Sequence, residues 1–422
     1  MSASESTCLH DFIAKSNCRS GKRENFMETI QKNNLHTLEV DRKDFERKLK
    51  VHRRKVAALV IFVLFLLAAA VIVTYIYYAN KIYSTYNIIS SVERLDTSAA
   101  EFMEFQGGLL KCTNDGIVYT DLSGNLIWNH TYEMDRPAVD MCGNYVVIYE
   151  LNGTQVYIMD RTSLQGSVQT TIPIRKVSIA AQGTVAILME NEGTSYLQLY
   201  DKAGGQLASG ELHVQNSGYP LDLALSENGE KLAVSMLDIN DGNVKTVIAF
   251  YNFGIVGQNS IDKIVSSYSY ADMVIPKIRY LEEDTMVAFG DSRVILFTGA
   301  QKPAEEKSIE LAGEIKSVFY NDACFGLVYD NADGKNYKLE YYDISGRQIM
   351  NVCFETDYTN IKILANGEIC IFGENSCEIF NLRGICKFQY DFQESIYQIL
   401  SGRTQTDYTF ILEGETQKVK LR

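Results

Sequence analysis

Reactive chemistry in this chain would have to come from a small set of residues. Two stretches, DINDGN (238–243) and DNADGK (330–335), carry alternating oxygen donors of the kind that ligate calcium. A calcium loop places its turn-forming Gly sixth, whereas Gly falls fifth counted from Asp238 or Asp330. Both stretches therefore read as hairpin turns between a second and a third strand. Beyond residue 80 the only histidines are His130 and His213. The sequence contains no His-Glu-x-x-His helix signature, no zinc-type Cys/His spacing and no Gly-x-Ser-x-Gly elbow. Seven cysteines follow residue 80: Cys112, Cys142, Cys324, Cys353, Cys370, Cys377 and Cys386. Their number is odd and their flanks are apolar, so they read as small buried hydrophobes. Cys370 and Cys377, at the ends of CIFGENSC, are the pair spaced to bridge a hairpin. NHT (129–131) and NGT (152–154) match a glycosylation sequon but read as ordinary strand and turn residues. The 26 tyrosines read chiefly as strand residues. No catalytic, cofactor-binding or metal-ligating residue is assigned, and no cofactor is called for.

The carboxylates that do recur are structural. Asp121 and Gly124 in IVYTDLSGNLIW (117–128) are matched by LQLYDKAGGQLA (197–208), LEYYDISGRQIM (339–350) and CEIFNLRGICKF (377–388). Looser copies are VYIMDRTSLQGSV (156–168), IAFYNFGIVGQNS (248–260) and VILFTGAQKPAEE (294–306). The anchors Asp121, Asp160, Asp201, Asn252, Thr298, Asp343 and Asn381 are spaced 38 to 51 residues apart. That interval suits a four-stranded propeller blade. Asp or Asn starts the turn by accepting backbone N–H groups, and Gly supplies a positive φ. The motif is thus a hairpin between the third and fourth strands of a blade.

Seven units follow at 97–134, 137–173, 175–213, 219–268, 271–311, 314–357 and 359–392. Residues 395–421 then supply three strands and lack a fourth, while YNIISSVERL (86–95) is a strand without a unit. Giving the early strand to the last blade joins the two ends of the chain. The expected fold is all-β, a closed β-propeller of four-stranded blades, with eight blades preferred and seven as the alternative.

Asp121, Gly124 and Trp128 together resemble the quinoprotein-type repeat, in which a Trp docks one blade on the next. That resemblance implies either a quinone site or partner-binding surfaces alone. Four residues after Gly, the other strong copies hold Ala208, Met350 and Phe388, and the vicinal cysteine pair of some quinone enzymes is missing. The whole layout resembles an uncharacterised family of membrane-anchored, propeller-like (quinoprotein/WD40-like repeat) proteins of low-GC Gram-positive anaerobes. The likeness rests on the basic tail, one span, IISSVERLD (88–96) and GLLKCTNDGIVYTDLSGNLIW (108–128). It implies location and fold, and no activity.

The span is VAALVIFVLFLLAAAVIVTYIYY, Val56 to Tyr78. At about 1.5 Å per residue it reaches roughly 34 Å, enough for a hydrocarbon core of about 30 Å. RKLKVHRRK (47–55) brings six Lys/Arg to one flank, and Lys81 alone lies close to the other. The positive-inside rule then puts the N-terminus in the cytoplasm and the repeat domain outside. The expected division is 1–55, a cytoplasmic tail, disordered and then helical from Asn34 with Leu35, Leu38, Phe45 and Leu49 as apolar positions; 56–79, transmembrane; 80–96, linker and closing strand; and 97–422, the propeller. Net charge is −13 overall, with 13 basic and 8 acidic residues in 1–55 and 27 basic and 45 acidic residues after it. Such an acidic domain repels phosphate, which excludes nucleic acid as its partner. The expected function is a membrane-anchored extracytoplasmic propeller that binds a protein or cell-envelope component as scaffold, assembly factor or sensor. The alternatives are a signalling receptor relaying to the cytoplasmic helix, and an envelope-polymer hydrolase or lyase using channel carboxylates.

Overall fold

The computed structural model describes residues 24–95, 100–213, 218–239, 244–271, 273–330 and 337–422. The chain divides into two compact units, residues 1–80 and 81–422. In the first, one helix runs unbroken over Glu24–Ala79. It begins ten residues before the expected start at Asn34, because nothing between Glu24 and Ala79 breaks it: the stretch holds neither Pro nor Gly. Its 56 residues extend about 84 Å. One stretch of it is long and apolar enough to cross a membrane, and Leu59, Phe62 and Phe65 are all exposed. Phe45 and Leu49 are also exposed, whereas the side chains of Leu35 and Leu38 lie outside the described residues.

The second unit is a β-propeller of eight four-stranded antiparallel sheets. Blades 1 to 7 cover residues 101–131, 137–169, 174–213, 219–271, 277–310, 315–354 and 360–391. Blade 8 takes three strands from 396–421 and its fourth from Tyr86–Glu93, which pairs antiparallel with Glu415–Leu421. The seven-blade alternative is thereby removed. First strands of neighbouring blades touch one another, so they are the innermost. The core is a set of apolar layers between blades rather than one central mass. Val147, Ile158 and Val168 of blade 2, for example, pack against Val177, Ile179 and Ile187 of blade 3. Phe102 of blade 1 stacks on Tyr397 of blade 8 at 4.9 Å between centroids, which closes the ring.

The repeated Asp acts as expected. Asp121 Oδ1 accepts the N–H groups of Ser123 (2.8 Å) and Asn125 (2.9 Å). The same bonds recur at Asp201 with Ala203 and Gly205, and at Asp343 with Ser345 and Arg347. The side-chain amide of Asn125, then its backbone N–H, hold the Asp121 carboxyl below the ordinary carboxylate range. The motif glycine has two reasons to be glycine. Gly204 has φ +87°, and a Cβ there would fall 2.5 Å from the Ser167 carbonyl of the preceding blade. DINDGN and DNADGK fall between the second and third strands of their blades, and residues 240–243 and 331–335 lie outside the described residues.

Tyrosine serves mainly as packing: Tyr119, Tyr341 and Tyr408 are among the largest fully buried side chains. Burial pushes the Tyr251 hydroxyl up to about 12, and burial with nearby Tyr390 and Glu394 does the same to Tyr86. An unfolded phenol ionises near ~10. The folded state therefore keeps protons that the unfolded state loses, and stability is full below ~10 and falls as pH rises from ~10 to ~12. We expect the melting temperature to drop steeply across that interval. Phenolate absorbance should show a fraction of tyrosines that ionises only together with loss of β-sheet circular dichroism.

Candidate functional site

The innermost strands put charge around the axis. Asp140 sits on blade 2 within PAVDMC, and Arg279 on blade 5 within KIRYLE. Their side chains meet at 2.8 Å. Glu104 of blade 1 and Lys362 of blade 7 meet at 3.4 Å. Blade 8 lies between blades 1 and 7 in the ring, and two blades separate 2 from 5, so both pairs are bridges between non-adjacent blades. Lys176 of blade 3 and Asp222 of blade 4 join neighbours at 3.3 Å. The acids also accept backbone N–H groups from the next inner strand: Asp140 from Ile179 and Asp222 from Ile278, each at 3.0 Å. Arg279 lies over the Tyr320 ring at 5.7 Å, and Lys277 over the same ring at 5.2 Å. The Asp140 carboxylate beside Arg279 raises its pKa further, whereas burial lowers that of Lys362 despite Glu104.

A cavity of about 540 Å³ opens at the end where these strands begin, lined by Asn152, Arg175, Lys176, Glu190, Asp222 and Lys277 among others. Arg175 donates there to Glu190 (3.0 Å) and to Asn152 Oδ1 (2.8 Å). Polymer hydrolysis by two carboxyls needs one free to give a proton and another free to attack or activate water. Glu104, Asp140 and Asp222 are each engaged with a cation, and two of them with an N–H as well. That arrangement ties blades together.

The residues singled out in the sequence lie apart. His130 is on the outer strand of blade 1, with Tyr157 at 4.6 Å and its Nε2 buried without a partner. Burial lowers its pKa from the ordinary histidine value. His213 ends the outer strand of blade 3, and its side chain lies outside the described residues. Among the described residues no group of three or more His, Cys, Asp or Glu side chains is placed to hold a metal ion. All seven cysteines of the propeller are free. The Cys370–Cys377 bridge does not form, because the register sets Cys377 opposite Phe372 and Cys370 opposite Ile379.

The seams between blades give a second set of positions. Trp128 stands opposite Tyr119, is 8% exposed, and donates its indole N–H to the Asp160 carbonyl of blade 2 at 3.0 Å. That carbonyl belongs to the next blade's own anchor. In the same register, Ser266 of blade 4 donates to the Pro303 carbonyl of blade 5 at 2.9 Å. Lys307 of blade 5 donates to the Gly346 carbonyl of blade 6 at 2.7 Å. Met350 of blade 6 lies against Gly384, and Phe388 of blade 7 stacks with Phe410 at 6.0 Å. Gly166 of blade 2 lets the turn at Lys202 and Ala203 come close. Ala208 of blade 3 borders a cavity of about 430 Å³. Sequence reading found Trp128, Ala208, Met350 and Phe388, and missed Ser266 and Lys307. It also missed the axial pairs: Asp140 and Lys362 are lone charges in their strands, whereas Glu104 and Arg279 share theirs with other charges.

Residues 79–421 match a family of unknown function, DUF5711, and the chain belongs to that family. No curated protein matches it in sequence. Among solved structures it is similar to the C-terminal WD40 domain of Sif2, with 11% identity, TM-score 0.53, and 81% of this chain and 99% of that one covered. Sqt1 of Chaetomium thermophilum gives 12%, 0.52, 80% and 98%. BamB of Moraxella catarrhalis gives 13%, 0.47, 80% and 100%. At these identities the likeness to the Sif2 and Sqt1 domains shows the fold alone.

The axial pairs yield a stability prediction. Arg279→Met leaves the partly buried Asp140 without its cation and should cost about 1–3 kcal/mol in urea unfolding. Adding Asp140→Asn should recover at least half of that loss. An additive double variant would mean that the two groups do not interact.

Proposed function

We propose that the helix anchors the chain in a membrane by a single span, with the N-terminus in the cytoplasm, and that the acidic propeller outside binds a protein or cell-envelope component as scaffold, assembly factor or sensor. The observation that carries this reading is the engagement of the axial carboxylates. Glu104 and Asp140 are taken up in ties between non-adjacent blades and Asp222 in a tie between neighbours, which leaves surfaces rather than a reacting centre for the work of the domain. The fully exposed apolar helix and the six cations at 47–55 support the anchoring and its direction. The quinoprotein-like repeat supports partner binding through its non-enzymatic branch. A relay of outside binding to the cytoplasm is the second reading. It is favoured by the unbroken helix from Glu24, which couples the span mechanically to the residues before it.

Sidedness can be read by thiol labelling. Cys353 is exposed on the propeller, and Cys8 and Cys18 lie in the N-terminal tail. A membrane-impermeant maleimide on intact cells should label Cys353 and spare Cys8 and Cys18 until the membrane is permeabilised. The reverse pattern would invert the topology. The binding reading is tested by capture on the immobilised full-length protein in nanodiscs, from solubilised envelope, with mass spectrometry of the bound fraction. A stoichiometric protein or glycan is the expected result. Retention of nothing by a folded protein would remove it.

A further inference from the structure

The cavity at the seam of blades 3 and 4 is the place where this ring omits its own filling. In blade 1 the register sets Trp128 opposite Tyr119 and His130 opposite Ile117. In blade 3 the same positions set Ala208 opposite Leu199 and Gly210 opposite Leu197. An indole and an imidazole are replaced by a methyl group and a hydrogen. Blade 2 makes a similar omission at Gly166 without a void, because the turn of blade 3 closes onto it. Blade 3 is not closed in this way. The third-to-fourth-strand connection of blade 4 is longer and passes through two short 3₁₀ turns at Gly257–Asn259 and Ile261–Lys263. The space left, about 430 Å³, falls within the usual range of small-ligand pockets of about 300–1,000 Å³.

Its walls are mainly apolar and aromatic, with Leu197, Leu199 and Leu212 from blade 3 and Tyr251 and Phe253 from blade 4, and Glu211, Asp262 and Lys263 add charge at its border. Lys263 lies over the Phe253 ring at 5.3 Å. Ile255 and Ile261 of the blade 4 connection are 82% and 87% exposed. The outer strand Gln206–His213 is the edge of its sheet. It carries one acidic residue, Glu211, whereas the edge strand Ala304–Glu310 carries Glu305, Glu306, Lys307 and Glu310. Charge of that second kind discourages strand addition; the outer strands of blades 1, 2 and 4 lack it too, so the cavity is what singles out blade 3.

We propose that this cavity receives an aromatic side chain, tryptophan foremost, from an extended peptide that adds as a fifth strand beside Gln206–His213. The inference rests on the binding-module reading above and names one of its sites. Strand side chains alternate between faces, so an added strand presents every second residue to the face that carries Ala208, Gly210 and Leu212. A ring at that position occupies the volume that Trp128 and His130 fill in blade 1. Blade 1 thus shows the chemistry that fits.

The test uses full-length protein in lipid nanodiscs, with empty nanodiscs as blank. Two fluorescein-labelled pentapeptides are compared by anisotropy, Thr-Val-Trp-Val-Thr and the same sequence with Ala at the centre. The Trp peptide should bind at least tenfold more tightly. Ala208→Trp should abolish that preference while the melting temperature holds or rises, because the protein then fills its own cavity. Should that variant misfold, Ala208→Leu should weaken the preference, and free indole should displace the Trp peptide from the native protein. Equal affinity for the two peptides, or an undiminished preference in folded Ala208→Trp, would overturn the inference. Free indole binding as tightly as the peptide would also overturn it, by assigning the cavity to a small aromatic molecule. The two failures are separable: envelope capture that persists in folded Ala208→Trp leaves the binding-module reading intact while the site is lost.

Discussion

Everything in this propeller depends on one strand from the beginning of the domain pairing with one from its end. Tyr86–Glu93 and Glu415–Leu421 run antiparallel from Tyr86 opposite Leu421 to Glu93 opposite Glu415. A ring of sheets has no central core to hold it, so an unclosed seam would expose two apolar blade faces and a bare sheet edge. Several contacts reinforce the closure. Arg422 donates its N–H to the Thr85 carbonyl at 2.9 Å, and Arg94 donates to the Leu412 carbonyl at 2.5 Å. The Tyr86 ring meets Phe388, Tyr390, Phe392 and Phe410 at 5.1–6.4 Å. Beside them Lys387 is buried with Glu368 at 2.5 Å and Tyr408 at 2.9 Å. That ion pair lies within blade 7, and Tyr408, bonded to both of its members, ties it to blade 8; a buried pair adds little net stability, but breaking it is costly.

Once the ring is closed, the seams can vary. Besides the apolar layers, one position on the outer strand of blades 1 to 7 faces the next blade, and the chain fills it in several ways. An indole, a hydroxyl and an ammonium each reach a carbonyl of the neighbour, a thioether and a phenyl ring pack, and a glycine allows close approach. The inner ends of the blades are held differently, by charges that cross the axis. The two devices share the work: apolar layers supply most of the burial, and the axial pairs link blades that are not neighbours. In a ring held this way Glu104, Asp140 and Asp222 are committed to structure.

Much of this was legible in the residues. The blade count followed from a strand surplus at 86–95 and a deficit at 395–421, which is bookkeeping that any closed ring must satisfy. The turn role of Asp121, Asp201 and Asp343 followed from Asp-to-Gly spacing, since the bonds are local. The axial pairs were not legible, because Asp140 and Arg279 are 139 residues apart and Glu104 and Lys362 are 258 apart. No local pattern records which inner strands face one another across an axis. Ala208 was visible as a departure from Trp, but the consequence needed Gly210 opposite Leu197 and a displaced blade 4 turn. Helix extent was underestimated, since the reading tied helix to apolar periodicity while the actual stretch from Glu24 lacks only breakers.

The propeller as a partner-binding domain requires a single rigid ring, and closure by the early strand is its central physical claim. The direct measurement is amide hydrogen exchange of the full-length protein, comparing residues 86–93 with 407–412 and 415–421. The account predicts that Tyr86–Glu93 is protected to the same degree as the two strands beside it in blade 8, and that all three lose protection together in urea. Rapid exchange of Tyr86–Glu93 while Asp407–Leu412 stays protected would contradict it, because the ring would then be open at the seam on which the other seams depend.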